Sequence, residues 1–325
     1  MTELPSRLTP LLEPLCPQLE QVKWLLHGRL AQVEEPLNSM LHCLLDGGKQ
    51  LRPALVILIG QMFAAPPAPF HSLAAALEML HTATLIHDDL VDGEASRRGR
   101  ETLHTRWPVA AAVLAGDFLL GQATSLIAGL EQPRVLRVFG DILCTMCAGE
   151  IRQMLATQGN HTRREAYYRS IEAKTASLFA ALTEMAGLLA GAGEVQIAAL
   201  RRFGREFGLA FQIVDDVLDV VGDEARLGKP AGSDLRQGLI TLPVLCYLER
   251  VKDNGPVRAV FSGQRDEESV RAAIEALRAS GAIEDSLAEA QAHVRRSQEA
   301  LAALPDNGSR RTLCALADYV VERNR

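Results

Sequence analysis

Two aspartate clusters constrain this chain more than any other feature. Asp88-Asp89-Leu90-Val91-Asp92 and Asp215-Asp216-Val217-Leu218-Asp219 repeat one D-D-x-x-D pattern far apart in the sequence. Each follows an apolar stretch of helical period: Leu73, Leu77 and Leu80 before the first, and Phe207, Leu209, Phe211, Ile213 and Val214 before the second. On a helix, Asp88 and Asp92 share a face one turn apart, with Asp89 beside them. Like charges at that spacing repel, and more strongly where water is scarce. Something cationic must offset them. Two such helix ends facing each other would gather six carboxylates around one cavity.

The rest of the chain suits that arrangement. Hydrophobic residues make up 48% and charged residues 23%, enough apolar material for a large core, and with only 5% aromatic residues the apolar share is mainly Ala and Leu. The sequence predicts helices over 73–92, 117–130, 134–155, 164–189 and 194–221, broken at Pro66-Pro67, Gln158 to Asn160, Gly191 to Gly193 and Gly228 to Pro230. No linker, low-complexity tract or repeat divides it. The expected fold class is all-α: a single-domain helical bundle, residues 1–325, around a central cavity.

Several classes are excluded. A net charge of −6 gives no nucleic-acid footprint. The apolar runs read as core helices such as Leu55 to Ile59, too short for a transmembrane segment. The polar, proline-bearing start lacks a signal-peptide pattern, and the scattered cysteines read as reduced thiols of a cytoplasmic protein. Cys144-Thr-Met-Cys147 has C-x-x-C spacing without a second pair. It falls in the stripe Leu136, Phe139, Leu143, Met146, Cys147 and Ile151, and reads as a packed helix face.

Carboxylates without His or Cys suit Mg²⁺, which takes oxygen ligands and is commonly completed by substrate phosphates. No glycine-bearing calcium loop is present, and His87-Asp88 lacks the further ligands of a metal phosphohydrolase. A diphosphate held between acidic walls also needs cations. Arg97-Arg98-Gly99, Gly47-Gly48-Lys49-Gln50-Leu51-Arg52-Pro53, Lys174-Thr175 and Lys229 supply them as a set.

With these motifs in family order, the region from Gly47 to Pro243 resembles the trans-isoprenyl (polyprenyl) diphosphate synthases of the long-chain type. The matching elements are G-G-K-x-L-R-P, D-D-x-x-D with R-R-G, K-T, F-Q-x-x-D-D-x-x-D and G-K-x-x-G-x-D-L-x-x-G-x-x-T-L-P. The resemblance implies a helical bundle of the isoprenoid synthase type, usually a homodimer, and a prenyltransferase. Such an enzyme joins isopentenyl diphosphate to an allylic diphosphate and releases diphosphate. It implies three Mg²⁺ ions on Asp88, Asp89, Asp92, Asp215, Asp216 and Asp219. Arg97, Lys174, Thr175, Gln212 and Lys229 would contact the allylic diphosphate; Lys49, Arg52, His81 and Arg98 would bind isopentenyl diphosphate. Asp88, Asp89, Asp92, Arg97, Lys174, Asp215 and Lys229 would carry the catalytic load. One departure is Leu239, where many short-chain members have Lys.

Chain length is read from the helix before Asp88. Ala83 and Thr84 are small where short-chain relatives place bulky aromatics, and Leu80 and Leu77 lie lower. One turn of helix is about 5.4 Å, so these positions lie one turn below Asp88, and the resemblance to long-chain synthases implies a product of about C30 to C50. A short-chain farnesyl or geranylgeranyl diphosphate synthase is the alternative. A class I terpene cyclase would show an Asn/Ser/Glu motif in place of the second cluster, and a non-catalytic subunit would lose its clusters; both remain further alternatives.

Overall fold

The computed structural model describes residues 7–31, 33–45, 50–97, 99–156, 164–222, 231–251 and 255–322. Almost all of them are helical. The amino-terminal half comprises α1 (Thr9–Leu12), α2 (Cys16–Leu30), α3 (Leu37–Leu45), α4 (Leu51–Met62), α5 (Pro67–Asp92), α6 (Leu103–Arg106), α7 (Val109–Ala128) and α8 (Pro133–Ala156). There follow α9 (Arg164–Ile171), a single π-helical turn (Glu172–Ala176), α10 (Ser177–Leu189) and α11 (Glu194–Val221). The carboxy-terminal helices are α12 (Ser233–Gln237), α13 (Leu242–Arg250), α14 (Pro256–Phe261), α15 (Glu267–Ala279), α16 (Ala282–Leu301) and α17 (Gly308–Glu322). Among the described residues the only strands are Ser96–Arg97 and Arg100–Glu101, an antiparallel pair just beyond α5.

The long helices α5 and α11 carry the fold. Helix α5 begins on Pro67, whose fixed φ suits the first turn, and stops at Gly93, which adopts φ +65. It packs along α7 and α4. Helix α11 starts after Gly193, whose N–H is capped by Gln196 Oε1 at 3.1 Å, and runs between α10 and α16. Buried apolar side chains from α1 to α17 join in one continuous core. Phe179 is fully buried with Phe207 at 5.2 Å and Phe211 at 5.5 Å between ring centroids, tying α10 to α11. Fully burying one such side chain contributes about 1.5–3 kcal/mol.

Three sequence expectations need correction. The helix expected from Asp117 starts at Val109, immediately after Pro108, and ends at Ala128. At 20 residues it is long and apolar enough to cross a membrane by length and composition, longer than the apolar runs expected from the sequence. One side, with Ala112, Ala115, Leu119 and Ala123, is buried against α5; the other exposes Val109 and Leu114. The helix expected over 164–189 is two helices joined by the π turn. The C-x-x-C stripe on α8 is a packed face only in part: Phe139 is buried and Leu143 and Met146 pack against the core, whereas Leu136, Cys147 and Ile151 are exposed. The expected breaks at 158–160 and 228–230 lie outside the described residues.

Candidate active site

Both acidic clusters sit at the carboxy-terminal ends of their helices, α5 and α11. There the unpaired carbonyls give a partial negative charge, so carboxylates add to a field already of their own sign. Local helix energetics therefore disfavour both clusters, and a cationic partner is the compensation physics requires.

The structure separates the six aspartates into two sets. Asp88 and Asp215 are half-buried and Asp92 is exposed, whereas Asp89, Asp216 and Asp219 are buried. Each buried one accepts from a protein donor. Arg97 Nε donates to Asp89 Oδ1 at 2.6 Å. Tyr167 Oη and Gln212 Nε2 donate to the two oxygens of Asp216, at 2.7 and 2.9 Å. The backbone N–H of Asp234 donates to Asp219 Oδ2 at 3.1 Å. Burial raises the pKa of Asp88 above its ordinary value, with Lys174 opposing and Asp92 adding to the rise. Burial also raises Asp89, against the pull of Arg97, and raises Asp216 well above the carboxylate range.

The two walls are joined through the π turn. Lys174 Nζ lies 3.5 Å from Asp88 Oδ2 on α5, and its neighbour Thr175 donates to Gln212 Oε1 on α11 at 2.7 Å. Two glycines clamp this turn. A Cβ on Gly149 of α8 would stand 2.6 Å from that of Ala173, and one on Gly208 of α11 would stand 2.6 Å from Ala176 Cα. Only with both side chains absent do α8 and α11 close on the turn, which holds Lys174 and Thr175 between the acidic ends. π turns of this kind recur at functional sites.

That approach also brings in a residue the sequence did not single out. Glu150, next to Gly149, lies 3.4 Å from Lys174 Nζ. Burial tends to lower the Lys174 pKa, but Asp88, Glu150 and Asp92 outweigh it and the net shift is upward, so the ammonium stays charged. Tyr167 is the second such residue. Their partners lie 24 and 49 positions away, beyond any local pattern. The position of Glu150 one residue after a glycine within an apolar helix was the available signal.

Of the remaining expected site residues, Arg52 places its guanidinium 5.0 Å over the Phe179 ring, a cation–π contact that aligns it at the start of α4. His81 is half-buried on α5, two turns before Asp88. Ala83 and Leu80 are buried, and Thr84 turns its hydroxyl onto His81 O at 2.8 Å, leaving little polar demand on a hydrocarbon neighbour. Leu239 is half-buried. Lys49, Arg98 and Lys229 lie outside the described residues.

A family profile described as polyprenyl synthetase matches residues 34–277, most of the chain. The chain belongs to the polyprenyl synthetase family. As a member it is a prenyltransferase with the all-α isoprenoid synthase fold, and its relatives extend prenyl chains. It is 37% identical to the nonaprenyl diphosphate synthase of Mycobacterium tuberculosis, over 94% of this chain and 92% of that one. It is 39% identical to a short chain isoprenyl diphosphate synthase of Methanothermobacter thermautotrophicus, over 89% and 91%. The crystal structure of a polyprenyl synthase from Caulobacter crescentus, complexed with calcium and isoprenyl diphosphate, superposes with a TM-score of 0.89 at 35% identity and 98% coverage of both chains.

Proposed function

We propose that this enzyme lengthens an allylic diphosphate, such as farnesyl diphosphate, by successive additions of isopentenyl diphosphate. The product is a long all-trans polyprenyl diphosphate. The observation carrying this reading is the Lys174–Thr175 turn held between the acidic ends of α5 and α11.

The donor set suits Mg²⁺. It consists of oxygens alone, and Asp88, Asp92 and Asp215 are the cluster aspartates that are not buried. Among the described residues no three His, Cys, Asp or Glu side chains cage an ion by themselves. That fits an ion bound by one or two carboxylates and completed by substrate phosphates. Asp88 and Asp92 would hold Mg²⁺ on one wall and Asp215 on the other, three ions in all by the family resemblance. When bound, Mg²⁺ neutralises charge developing on the departing diphosphate.

The chain's own residues do the rest. Lys174 and Arg97 place fixed positive charge beside the leaving group, preorganised by Glu150 and Asp89. The C–O bond breaks with its electron pair leaving on diphosphate. The double bond of isopentenyl diphosphate supplies the pair for the new C–C bond, and a proton is lost to restore a double bond. Arg52 and His81, with Lys49 and Arg98, would bind the isopentenyl diphosphate. Apolar helices around the site keep water from quenching the cation.

Small Ala83 and Thr84, one turn of about 5.4 Å below Asp88, support a long product; the range of about C30 to C50 comes from the family resemblance. The short-chain relative favours the second reading, in which Leu80 and Leu77 form the floor. The exposed apolar face of Val109, Val113 and Leu114 on α7, continued by Leu136 on α8, supports a homodimer. The five described cysteines are free thiols, which supports a cytoplasmic setting.

Diphosphate release tests the reaction. The purified enzyme with Mg²⁺ should release diphosphate from farnesyl diphosphate only when isopentenyl diphosphate is present. Equal release from farnesyl diphosphate alone would favour a cyclase instead.

A further inference from the structure

Asp216 is buried beneath the open surface of the second cluster, and the bonds around it form one directed chain. Tyr167 Oη donates to Asp216 Oδ2 at 2.7 Å, and Gln212 Nε2 donates to Oδ1 at 2.9 Å. Gln212 Oε1 then accepts from Thr175 Oγ1 at 2.7 Å. The chain crosses α9, α11 and the π turn, and it ends on a residue beside Lys174.

Its polarity is read from the contacts themselves: the amide nitrogen of Gln212 faces Asp216 Oδ1. The amide oxygen is thereby turned toward Thr175, whose hydroxyl proton is committed to it. Rotating the Gln212 amide by half a turn would give up both of these contacts as they stand. Tyr167 anchors the far end. It is fully buried, its ring meets Tyr168 edge-on at 5.4 Å, and Tyr168 in turn donates to Glu289 of α16. The Tyr167 hydroxyl thus has a fixed direction, and Asp216 is held from the side opposite Gln212.

We propose that Tyr167 is a positioning residue for the allylic substrate. Through Asp216 it fixes the amide of Gln212 and the hydroxyl of Thr175 where they border the diphosphate site. The inference rests on the elongation reading above, and it assigns Asp216 to this buttress rather than to an open metal position.

Tyr167→Phe keeps the ring and its stacking and removes only the hydroxyl. The variant should bind a non-ionisable allylic thiodiphosphate, with Mg²⁺ present, about tenfold more weakly by titration calorimetry, as expected for one lost buried hydrogen bond. KM for isopentenyl diphosphate should stay within about twofold, since Arg52 and His81 are not on the chain. Asp216→Ala should show the same split, because both acceptor oxygens are lost. The double variant should be no weaker than the worse single one, because both break the same chain. Unchanged affinity for the analogue, equal losses for both substrates, or additive losses in the double variant would overturn the proposal. If the unmodified enzyme bound neither the Mg²⁺–analogue pair nor isopentenyl diphosphate, the elongation reading itself would fail, a result distinct from any of these.

Discussion

Arg97 reaches back across the turn that ends α5 and donates its Nε to Asp89 Oδ1 at 2.6 Å. The middle aspartate of the first cluster is therefore a partner for the protein, while Asp88 is half-buried beside Lys174 and Asp92 is exposed. The second cluster repeats the division, with Asp215 half-buried and Asp216 held by Tyr167 and Gln212. In both, the more buried carboxylate of each adjacent pair accepts from a protein donor.

This division predicts unequal costs within one motif. Asp88→Asn and Asp215→Asn should each lower kcat/KM about a hundredfold or more, the scale of losing a preorganised electrostatic group. Asp89→Asn should cost about tenfold, because an amide oxygen can still accept from Arg97. Steady-state kinetics at saturating Mg²⁺ separates the three. Equal losses would contradict the division.

The glycine clamp gives a second prediction. Gly149→Ala puts a Cβ against Ala173, and because the obstacle is a neighbouring Cβ on a packed turn, α8 or the turn must shift. Lys174 moves with the turn. The expected result is a fall in kcat of about tenfold, the cost of slightly misplacing a catalytic group, with helical circular dichroism unchanged. Glu150→Gln should lower kcat by a similar factor, through Lys174 alone.

A third prediction concerns acid stability. Glu206 on α11 is buried; burial raises its pKa, but His293 at 2.7 Å and Arg296 at 2.9 Å, both on α16, outweigh that and bring it to about 2. Arg205 adds a further contact at 2.9 Å. A depressed pKa contributes stability in full above the unfolded value of 4.5 and loses it as pH falls toward 2. The contribution is roughly 3 kcal/mol. Glu206→Gln should therefore lower the Tm at pH 7 and flatten its decline between about pH 5 and 2. Thermal unfolding across that range checks both, and an unaltered pH slope would contradict the assignment.

Much of the fold and of the site was legible in the sequence, for identifiable reasons. Helix α11 was bounded correctly because Gly193 and Gly222 punctuate a long periodic stretch. The start of α7 was missed because Asp117 was taken as its beginning, while the true signal was Pro108 ahead of Val109. The π turn left no trace, since one extra residue in a helical turn is fixed by α8 and α11 closing on it rather than by local preference. The acidic clusters and Lys174 were legible as motifs. Glu150 and Tyr167 were not, because their partners are contributed by other helices. The C-x-x-C face misled because an apolar stripe alone does not say what covers it.

Ala83 is buried on α5 below Asp88 and supports a fourth prediction. Ala83→Phe puts a phenyl ring one turn below the first cluster, so by the floor argument the product should shorten by several isoprene units while the rate of the first condensation changes by less than about tenfold. Chromatography of dephosphorylated products reads the shift, and an unchanged distribution would remove Ala83 from the floor.

The central claim is elongation to a long chain between two acidic walls. Its most direct test is incubation of the purified enzyme with labelled isopentenyl diphosphate, farnesyl diphosphate and Mg²⁺, followed by chromatography of the dephosphorylated products. A ladder ending well beyond C20, at about C30 to C50 by the family resemblance, is the result expected with small residues one turn below Asp88. Label confined to C15 or C20 products, with shorter primers also supplied, would contradict the long-chain account.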